Sequence, residues 1–189
     1  KTMTGRSVLR LIRPPGRIQA AEMTFDDIDL VRANEAQMRA LRGRRIAMVM
    51  QDPKFSLNPV MKVGAQLMEG LRQRDRASRA EARTKALAAL SAVQIRDPER
   101  VMGAYPHELS GGMGQRVMIA MMLIPNPDLL IADEPTSALD VTVQAEVLSI
   151  LDGLVRDRGM CLIFISHDLR MVARFCDRVL VMYKGRIVE

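Results

Sequence analysis

The most informative stretch of the chain is Leu129-Leu-Ile-Ala-Asp-Glu-Pro-Thr-Ser-Ala-Leu-Asp140, in which four apolar residues lead into two adjacent acids. A short apolar run bounded by polar and turn residues predicts a strand that is buried on both faces, as in parallel sheets. Such a strand places Asp133 and Glu134 at its carboxyl tip, where open α/β sheets bind ligands. In nucleotide chemistry the first acid would hold Mg²⁺ and the second would orient an attacking water. The alternative is a pair of helix-capping acids.

Strands and helices alternate on both sides of this stretch. The hydrophobic pattern predicts helices over 3–12, 35–41, 143–155 and 169–175, buried strands over 46–50, 161–165 and 179–182, and an exposed strand over 18–25. Between the two β/α parts, residues 60–93 follow a helical period and form an insert. The order of elements therefore predicts one α/β domain with a parallel sheet and a helical lobe.

Composition limits the kind of protein this is. The chain has 189 residues, is 48% hydrophobic, and has no apolar run long enough to cross a bilayer, so any membrane role would come through a partner. The net charge of +6 is spread among acids, as in residues 72–83, which indicates a solvated helix face rather than a nucleic-acid surface. Cys161 and Cys176 match no metal-ligand spacing, and we expect buried thiols in a reducing compartment.

A second informative segment is Leu109-Ser-Gly-Gly-Met-Gly-Gln-Arg116, which runs directly into a helical pattern. Ser110 is a good helix cap, and Gly111 and Gly112 allow backbone N–H groups to approach an anion at a helix N-terminus. Taken alone, Ser-Gly-Gly is an ordinary helix start. Its position about twenty residues before the strand with two acids favours a functional interpretation.

These segments resemble the motifs of ABC-type ATPases. Leu109-Ser-Gly-Gly is similar to the signature motif, and residues 130–140 resemble the Walker B motif followed by the D-loop. Gln51, at the end of its strand, resembles the glutamine of the Q-loop. His167, in Ile165-Ser-His-Asp168, resembles the switch histidine. The four motifs occur in the order of the family, and the resemblance covers essentially the whole chain.

The family also has a phosphate-binding loop, the Walker A motif, and no complete copy is present. The chain opens with Lys1-Thr2 directly before a helical pattern, and we assign these residues as the last two of a Walker A motif that the chain enters partway. The alternative is an arbitrary Lys-Thr pair. Because the glycines of the loop would be missing, we expect this chain to bind ATP poorly by itself. Relatives also extend beyond Glu189, with a C-terminal tail.

Within the family, Gln51-Asp-Pro-Lys-Phe-Ser-Leu-Asn-Pro-Val-Met61 resembles the ATPases of dipeptide, oligopeptide and nickel importers. Tyr105-Pro-His-Glu-Leu-Ser-Gly-Gly-Met113 and Asp133-Glu-Pro-Thr-Ser-Ala-Leu-Asp-Val-Thr-Val-Gln144 resemble the same subgroup. Met113 stands where the signature usually has Gln, which is familiar in this subgroup. Gly114 replaces a longer residue, which puts only local packing in doubt.

The resemblance implies a P-loop NTPase core made of residues 1–51 and 126–189, with residues 52–125 as the helical subdomain. It implies an ATPase that uses ATP and Mg²⁺ and powers import of peptides, nickel or a similar solute. The implied catalytic residues are Glu134, His167 and Gln51. The implied nucleotide-binding residues are Lys1, Thr2, Ser110, Gly111, Gly112 and Asp140. The implied magnesium ligands are Thr2, Gln51 and Asp133.

The resemblance also implies partners and a location. Two ATPase subunits would pair head-to-tail, so that the Ser110 segment of one contacts ATP held by the other, and residues 52 to about 70 would contact a transmembrane permease. A solute-binding protein would be an indirect partner, and nucleic acid would not be one. The expected location is the cytoplasmic face of a bacterial inner membrane. The rival is a non-transport ABC ATPase acting on DNA or ribosomes. Only residues 52–108 separate Gln51 from Leu109, without a coiled-coil or zinc insertion, which favours a transporter.

Overall fold

The computed structural model describes residues 1–50, 56–137 and 139–189. Its α-helices are α1 (Thr2–Val8), α2 (Glu35–Leu41), α3 (Val63–Arg74), α4 (Arg79–Ala92), α5 (Pro98–Gly103), α6 (Gly111–Leu123), α7 (Val141–Arg158) and α8 (Leu169–Phe175), with a 3-10 helix at Pro106–Glu108. Its strands are β1 (Thr24–Phe25), β2 (Ile28–Asp29), β3 (Ile46–Val49), β4 (Leu129–Asp133), β5 (Cys161–Ile165), β6 (Met182–Tyr183) and β7 (Arg186–Ile187).

A three-stranded parallel sheet in the order β3-β4-β5 lies at the centre of the molecule. Side chains alternate across a strand, and both faces of β3 and β4 are covered. Ile46 and Met48 of β3 belong to an apolar cluster that also contains residues of α1 and α2, whereas Ala47 and Val49 belong to a second cluster with the helical lobe and α7. Burial on both faces explains why these strands are uninterrupted apolar runs.

Helix α1 lies close to the sheet because it carries a glycine at the contact. A methyl group added at Gly5 would lie 3.1 Å from a methyl carbon of Ile131 and 3.4 Å from one of Ile165. Gly5 is buried, and α1 begins at Thr2 directly after Lys1. The close packing brings the start of α1 to the carboxyl ends of β4 and β5.

Helices α3 to α6 form the helical lobe, residues 56–125. Its apolar residues join the sheet in one continuous cluster that includes Leu67 of α3, Leu90 of α4, Ile119 of α6 and Leu130 of β4. The lobe therefore packs directly onto the sheet and shares an apolar core with it. Helix α4 starts with a capping box, in which Ser78 and Glu81 each accept a hydrogen bond from the other's backbone N–H.

Most predicted elements are present, and the prediction that residues 179–182 form a strand of the parallel sheet is wrong. Met182–Tyr183 instead pairs antiparallel with Arg186–Ile187. The turn between them, Lys184-Gly185, has positive φ at both residues (46° and 81°), which is the geometry that favours a tight hairpin. The segment therefore finds its partner locally. The exposed strand predicted over 18–25 is likewise reduced to Thr24–Phe25 in a short hairpin with β2.

The expectation of two buried thiols is also wrong. Cys161 is exposed and Cys176 is partly buried. Cys161 and Ile163 lie on the same face of β5, and this face is open to solvent at both positions. Burial raises the pKa of the Cys176 thiol. Arg72, Arg76, Arg79 and Arg83 are exposed as predicted, but they do not lie on a single helix face, because residues 75–78 separate α3 from α4. In the part of the chain that the structure describes, no helix has the length and apolar character needed to cross a bilayer.

Candidate nucleotide site

The carboxyl ends of β4 and β5 and the start of α1 meet at one edge of the sheet. Asp133 is the last residue of β4 and only 2% exposed. The hydroxyl of Thr2 donates a hydrogen bond to its Oδ1 at 3.1 Å. The Nζ of Lys1 donates to the backbone carbonyl of Ser166, just beyond β5, at 2.6 Å. Thr2, predicted to end the Walker A motif, and Asp133, the predicted Walker B acid, are therefore direct neighbours.

Glu134 leaves the strand in a backbone conformation that non-glycine residues rarely adopt. Its backbone N–H still donates to the carbonyl of Ile165 at 2.9 Å, but its φ is +48°. The next turn is closed by Ser137, whose backbone N–H and hydroxyl both donate to the Glu134 carbonyl at 3.2 Å. Strained backbone of this kind is concentrated at functional sites.

The side chain of Glu134 contacts the predicted switch histidine. Its Oε1 lies 3.1 Å from Nδ1 of His167, which is mostly exposed. His167 follows β5, and Asp168 then caps α8 by accepting hydrogen bonds from the N–H groups of Arg170 and Met171. A small pocket opens beside this pair, lined by Glu134, Thr136, Ser137, Gln144, Ser166, His167, Asp168 and Met171.

The alternative that the paired acids cap a helix does not describe their contacts. The following helix, α7, is capped by Asp140, whose Oδ1 accepts from the N–H groups of Thr142 and Val143 at 3.1 Å. Asp133 and Glu134 instead face Thr2 and His167. Asp140 thus has a structural function of its own, which the sequence-based interpretation did not assign to it.

The predicted signature residues lie in a second group, at the N-terminus of α6. Ser110 caps this helix by accepting a hydrogen bond from Met113 N–H at 3.3 Å, as predicted. The position of a methyl group added at Gly112 is 2.5 Å from Cγ1 of Val143, so α6 touches the first turn of α7 with no room for a side chain. Gly111 faces Leu139. Gln51 lies outside the described residues, so its predicted function in this site stays a prediction.

The two hard oxygen donors, the Thr2 hydroxyl and the Asp133 carboxylate, fit a magnesium ion. Mg²⁺ binds oxygen ligands at about 2.1 Å in octahedral geometry, which places neighbouring ligands about 3 Å apart, close to the observed 3.1 Å. Within residues 1–50, 56–137 and 139–189, no group of three or more His, Cys, Asp or Glu side chains is arranged to hold a metal ion. Such a site suits Mg²⁺, which takes one or two protein ligands and completes its shell with water and phosphate.

Sequence reasoning did not single out Ser166 or Gln144. Ser166 acts through its backbone carbonyl, which any residue carries, so no sequence signal marks it. Gln144 was quoted only as part of a motif, although its side chain bonds back to the loop that precedes α7. A polar amide one turn after a helix cap was the available signal.

The α/β fold, with this cluster of acids, hydroxyl, lysine and histidine at the carboxyl edge of its parallel sheet, is that of the P-loop NTPase class. The chain belongs to the ABC transporter family, whose model matches residues 1–137. The chain is 52% identical over its whole length to the Probable peptide ABC transporter ATP-binding protein y4tR of Sinorhizobium fredii, covering 57% of that protein. It is 48% identical over its whole length to the Oligopeptide transport ATP-binding protein OppD of Bacillus subtilis, covering 53% of that protein.

Solved structures agree with this assignment. The whole chain matches 78% of the ATP-binding cassette MJ0796, solved as a dimer in a post-hydrolysis state bound to ADP and Pi, with a TM-score of 0.83 and 28% identity. The predicted fold class and family are therefore confirmed. The chain spans little more than half the length of these two curated relatives.

Proposed function

We propose that the chain is the ATP-binding and ATP-hydrolysing part of an importer for peptides, or for nickel or a similar small solute. One observation carries the proposal. Glu134 and His167 contact each other at 3.1 Å beside the Thr2–Asp133 pair, at the edge of the sheet where α1 begins. The names of the curated relatives, a peptide and an oligopeptide transport ATP-binding protein, support the class of cargo.

The residues divide the work of hydrolysis by their positions. Lys1 would hold terminal phosphate oxygens of ATP, since it immediately precedes α1 and its ammonium group reaches the carboxyl end of β5 at the Ser166 carbonyl. Thr2 and Asp133 would hold Mg²⁺, which when bound neutralises charge on the phosphates. Glu134 would orient and polarise the attacking water, and His167 would hold both Glu134 and the γ-phosphate oxygen in place. Gln51 would complete the set as a sensor of the γ-phosphate.

A second subunit is part of the proposal, because the signature residues lie in a separate group. Ser110 caps α6, Gly111 faces Leu139 and Gly112 packs against Val143 of α7, whereas Lys1 bonds to Ser166. The N–H groups at the start of α6 would therefore bind the ATP of a partner arranged head-to-tail. The dimeric structure of MJ0796 supports such pairing. In this arrangement ATP lies between the subunits and holds them together.

The expected contact with a membrane permease involves residues 52 to about 70. Among those the structure describes, the turn around Val60 stands out, because this side chain is 80% exposed. Gln66 fixes the turn: its Nε2 donates to the carbonyls of Asn58 and Met61, and its Oε1 accepts from Asn58 N–H at 2.8 Å. A turn fixed in this way would be the part of the segment that contacts the permease. The protein would thus lie on the cytoplasmic face of the membrane, held there by the permease.

The test is Glu134→Gln in the full-length polypeptide, with Glu99→Gln as the control. The amide keeps the shape of Glu134 but cannot polarise water, so turnover should fall by about 10²- to 10⁴-fold while ATP binding is kept. The ATP-bound dimer should accumulate, as measured by calorimetric titration and light scattering. Glu99 is an exposed acid paired with Arg83, and its substitution should change none of these readouts. Unimpaired hydrolysis by Glu134→Gln would contradict the proposal.

A further inference from the structure

Gln144 ties the loop that contains Glu134 to the helix that follows it. It lies one turn into α7, four residues after the cap Asp140, and is partly buried. Its Nε2 donates two hydrogen bonds back along the chain, to the carbonyl of Thr136 at 3.0 Å and to that of Leu139 at 3.1 Å. Backbone carbonyls outside regular structure need such donors. One side chain thus satisfies two of them and fixes the loop against α7.

The same stretch of α7 holds the start of α6. Val143, the neighbour of Gln144, fills the space beside Gly112, where an added methyl group would lie 2.5 Å from Cγ1. One turn further along α7, Glu146 forms an ion pair with Arg116 of α6. Arg116 also donates to the carbonyl of Gln94 at 3.2 Å. The first two turns of α7 therefore contact the loop of residues 134–140 and the signature helix at once.

We propose that Gln144 is a positioning residue that keeps Thr136 and Leu139, in the loop that follows Glu134, in a fixed place relative to the N-terminus of α6. The two segments then meet the nucleotide and surface of a second subunit as one preformed unit. This inference rests on the proposed function, since it concerns the head-to-tail contact of two ATPase subunits. Gln144 acts through the Thr136 and Leu139 carbonyls and touches no nucleotide itself.

Packing and hydrogen bonds together hold this part of the chain: Thr136 is buried and Leu139 packs against the apolar core, and Gln144 adds the hydrogen bonds that join both residues to α7. Glu134 begins it in a left-handed backbone conformation, and Ser137 closes the first turn. Leu139 is then held by its N–H bond to the Thr136 carbonyl at 3.1 Å and by Gln144. Loss of the amide donors would leave the Thr136 carbonyl with the Leu139 N–H alone and let the Leu139 carbonyl turn to water, so that this carbonyl would have to be ordered again each time the subunits associate. Displacements of about 1 Å at such a site strongly reduce rates.

The test compares Gln144→Met with Gln144→Lys in the full-length polypeptide. Met has similar length but no donor, whereas the Lys ammonium can still donate to both carbonyls. We expect Gln144→Met to weaken ATP-driven dimer formation about tenfold in the Glu134→Gln background and to lower hydrolysis about tenfold otherwise, which corresponds to the loss of hydrogen bonds. ATP binding by the monomer should stay within about twofold. Gln144→Lys should restore dimer formation.

Gln73→Met is the control, since this exposed glutamine donates to Glu69 on its own helix. If Gln144→Met forms the dimer as tightly as Gln73→Met does, the inference is wrong. It is equally wrong if Met and Lys at position 144 weaken the dimer alike, because a donor is then not what matters. If Glu134→Gln alone neither stops hydrolysis nor traps a dimer, the proposed function is wrong. The inference about Gln144, which rests on it, is then wrong as well. The two failures are therefore distinguishable.

Discussion

Thr2 and Asp133 come from opposite parts of the chain and meet through a single hydrogen bond of 3.1 Å. Asp133 is buried at the end of β4, where a carboxylate needs a partner. The Thr2 hydroxyl is that partner here, and both oxygens are suitable ligands for Mg²⁺. At the scale of single residues, the hydroxyl of Thr2 rather than its methyl group therefore matters for the proposed activity.

Two small substitutions of Thr2 should therefore differ in their effect. Thr2→Ser keeps the hydroxyl, and ATP hydrolysis should stay within about threefold. Thr2→Val keeps the shape but loses the oxygen, so hydrolysis should fall about 10- to 100-fold and require more Mg²⁺. A titration of hydrolysis against Mg²⁺ concentration in both variants measures the effect. Equal activity of the two variants would exclude Thr2 as a ligand.

Asp140 has one function that the structure shows and another that the family resemblance implies. It caps α7 through two hydrogen bonds of 3.1 Å. As part of the D-loop it is also expected to bind the nucleotide. Ser is also a good helix cap but has no charge. We expect Asp140→Ala to lower the free energy of unfolding by about 1 kcal/mol and Asp140→Ser to leave it nearly unchanged.

The comparison separates the two functions of Asp140. If the Asp140 carboxylate also binds the nucleotide, Asp140→Ser should still reduce ATP hydrolysis about tenfold, because a charge-assisted hydrogen bond is lost. Thermal melting and steady-state hydrolysis of the same two variants give the answer. Full activity of Asp140→Ser would show that capping is the whole function of this side chain.

At the scale of elements, α6 and α7 approach each other closely at Gly112 in the candidate site. The space at Gly112 is already filled by Val143, a β-branched side chain with little rotamer freedom. Gly112→Ala should therefore lower the free energy of unfolding by about 1–3 kcal/mol through overpacking.

A second substitution should relieve this strain. In a Val143→Ala background there is room for the new methyl group, so Gly112→Ala should cost much less, and the two changes should be strongly non-additive. Denaturant unfolding of the four proteins of this cycle is the measurement. Gly111 offers a control, since a methyl group there has Leu139 at 3.8 Å as its neighbour, an ordinary contact distance. Additive effects would show that Gly112 is not limited by Val143.

Elements with strong local signals were predicted closely. Helices α2 and α8 and strand β5 have the predicted bounds, because caps and buried apolar runs mark them in the sequence. Residues 179–182 were misassigned, since an apolar run carries no information about its partner. There the Lys184-Gly185 turn supplied a nearer partner than the sheet. Local pattern predicts that a strand forms more reliably than it predicts what the strand pairs with.

At the scale of the whole molecule, the helical lobe and the sheet share one apolar cluster. Leu67 and Leu90 of the lobe and Val49 and Leu130 of the sheet all belong to it. A shared core favours unfolding as a single cooperative unit. The division into residues 1–51, 52–125 and 126–189 therefore remains a prediction about sequence segments, and the packing indicates that they depend on one another.

This packing predicts one unfolding transition in calorimetry. Leu90→Ala, at a fully buried position of α4, should lower the free energy of unfolding by about 2–5 kcal/mol and shift the whole transition. Lys85→Ala on the exposed side of the same helix should change it by less than about 0.5 kcal/mol. A second transition that alone responds to Leu90→Ala would show that the lobe unfolds independently.

The sequence by itself determined the fold class, the family and the order of the chemical motifs. Apolar runs, caps and short motifs are local, so the strand carrying Asp133 and Glu134, the cap Ser110 and the histidine at position 167 can all be identified without coordinates. The sequence also suggested that Lys1 and Thr2 belong with these residues, but only through the resemblance to the family.

Only the tertiary structure decided which of these groups touch. The contacts Thr2–Asp133, Lys1–Ser166 and Glu134–His167 join the start of α1 and the carboxyl ends of β4 and β5, and the first two join residues 131 and 165 positions apart in the chain. The attachment of residues 134–140 to α7 by Gln144 likewise depends on where backbone carbonyls point. Such contacts follow from packing: the glycine at position 5 lets α1 approach β4 and β5, and the parallel strands then bring their carboxyl ends to one edge.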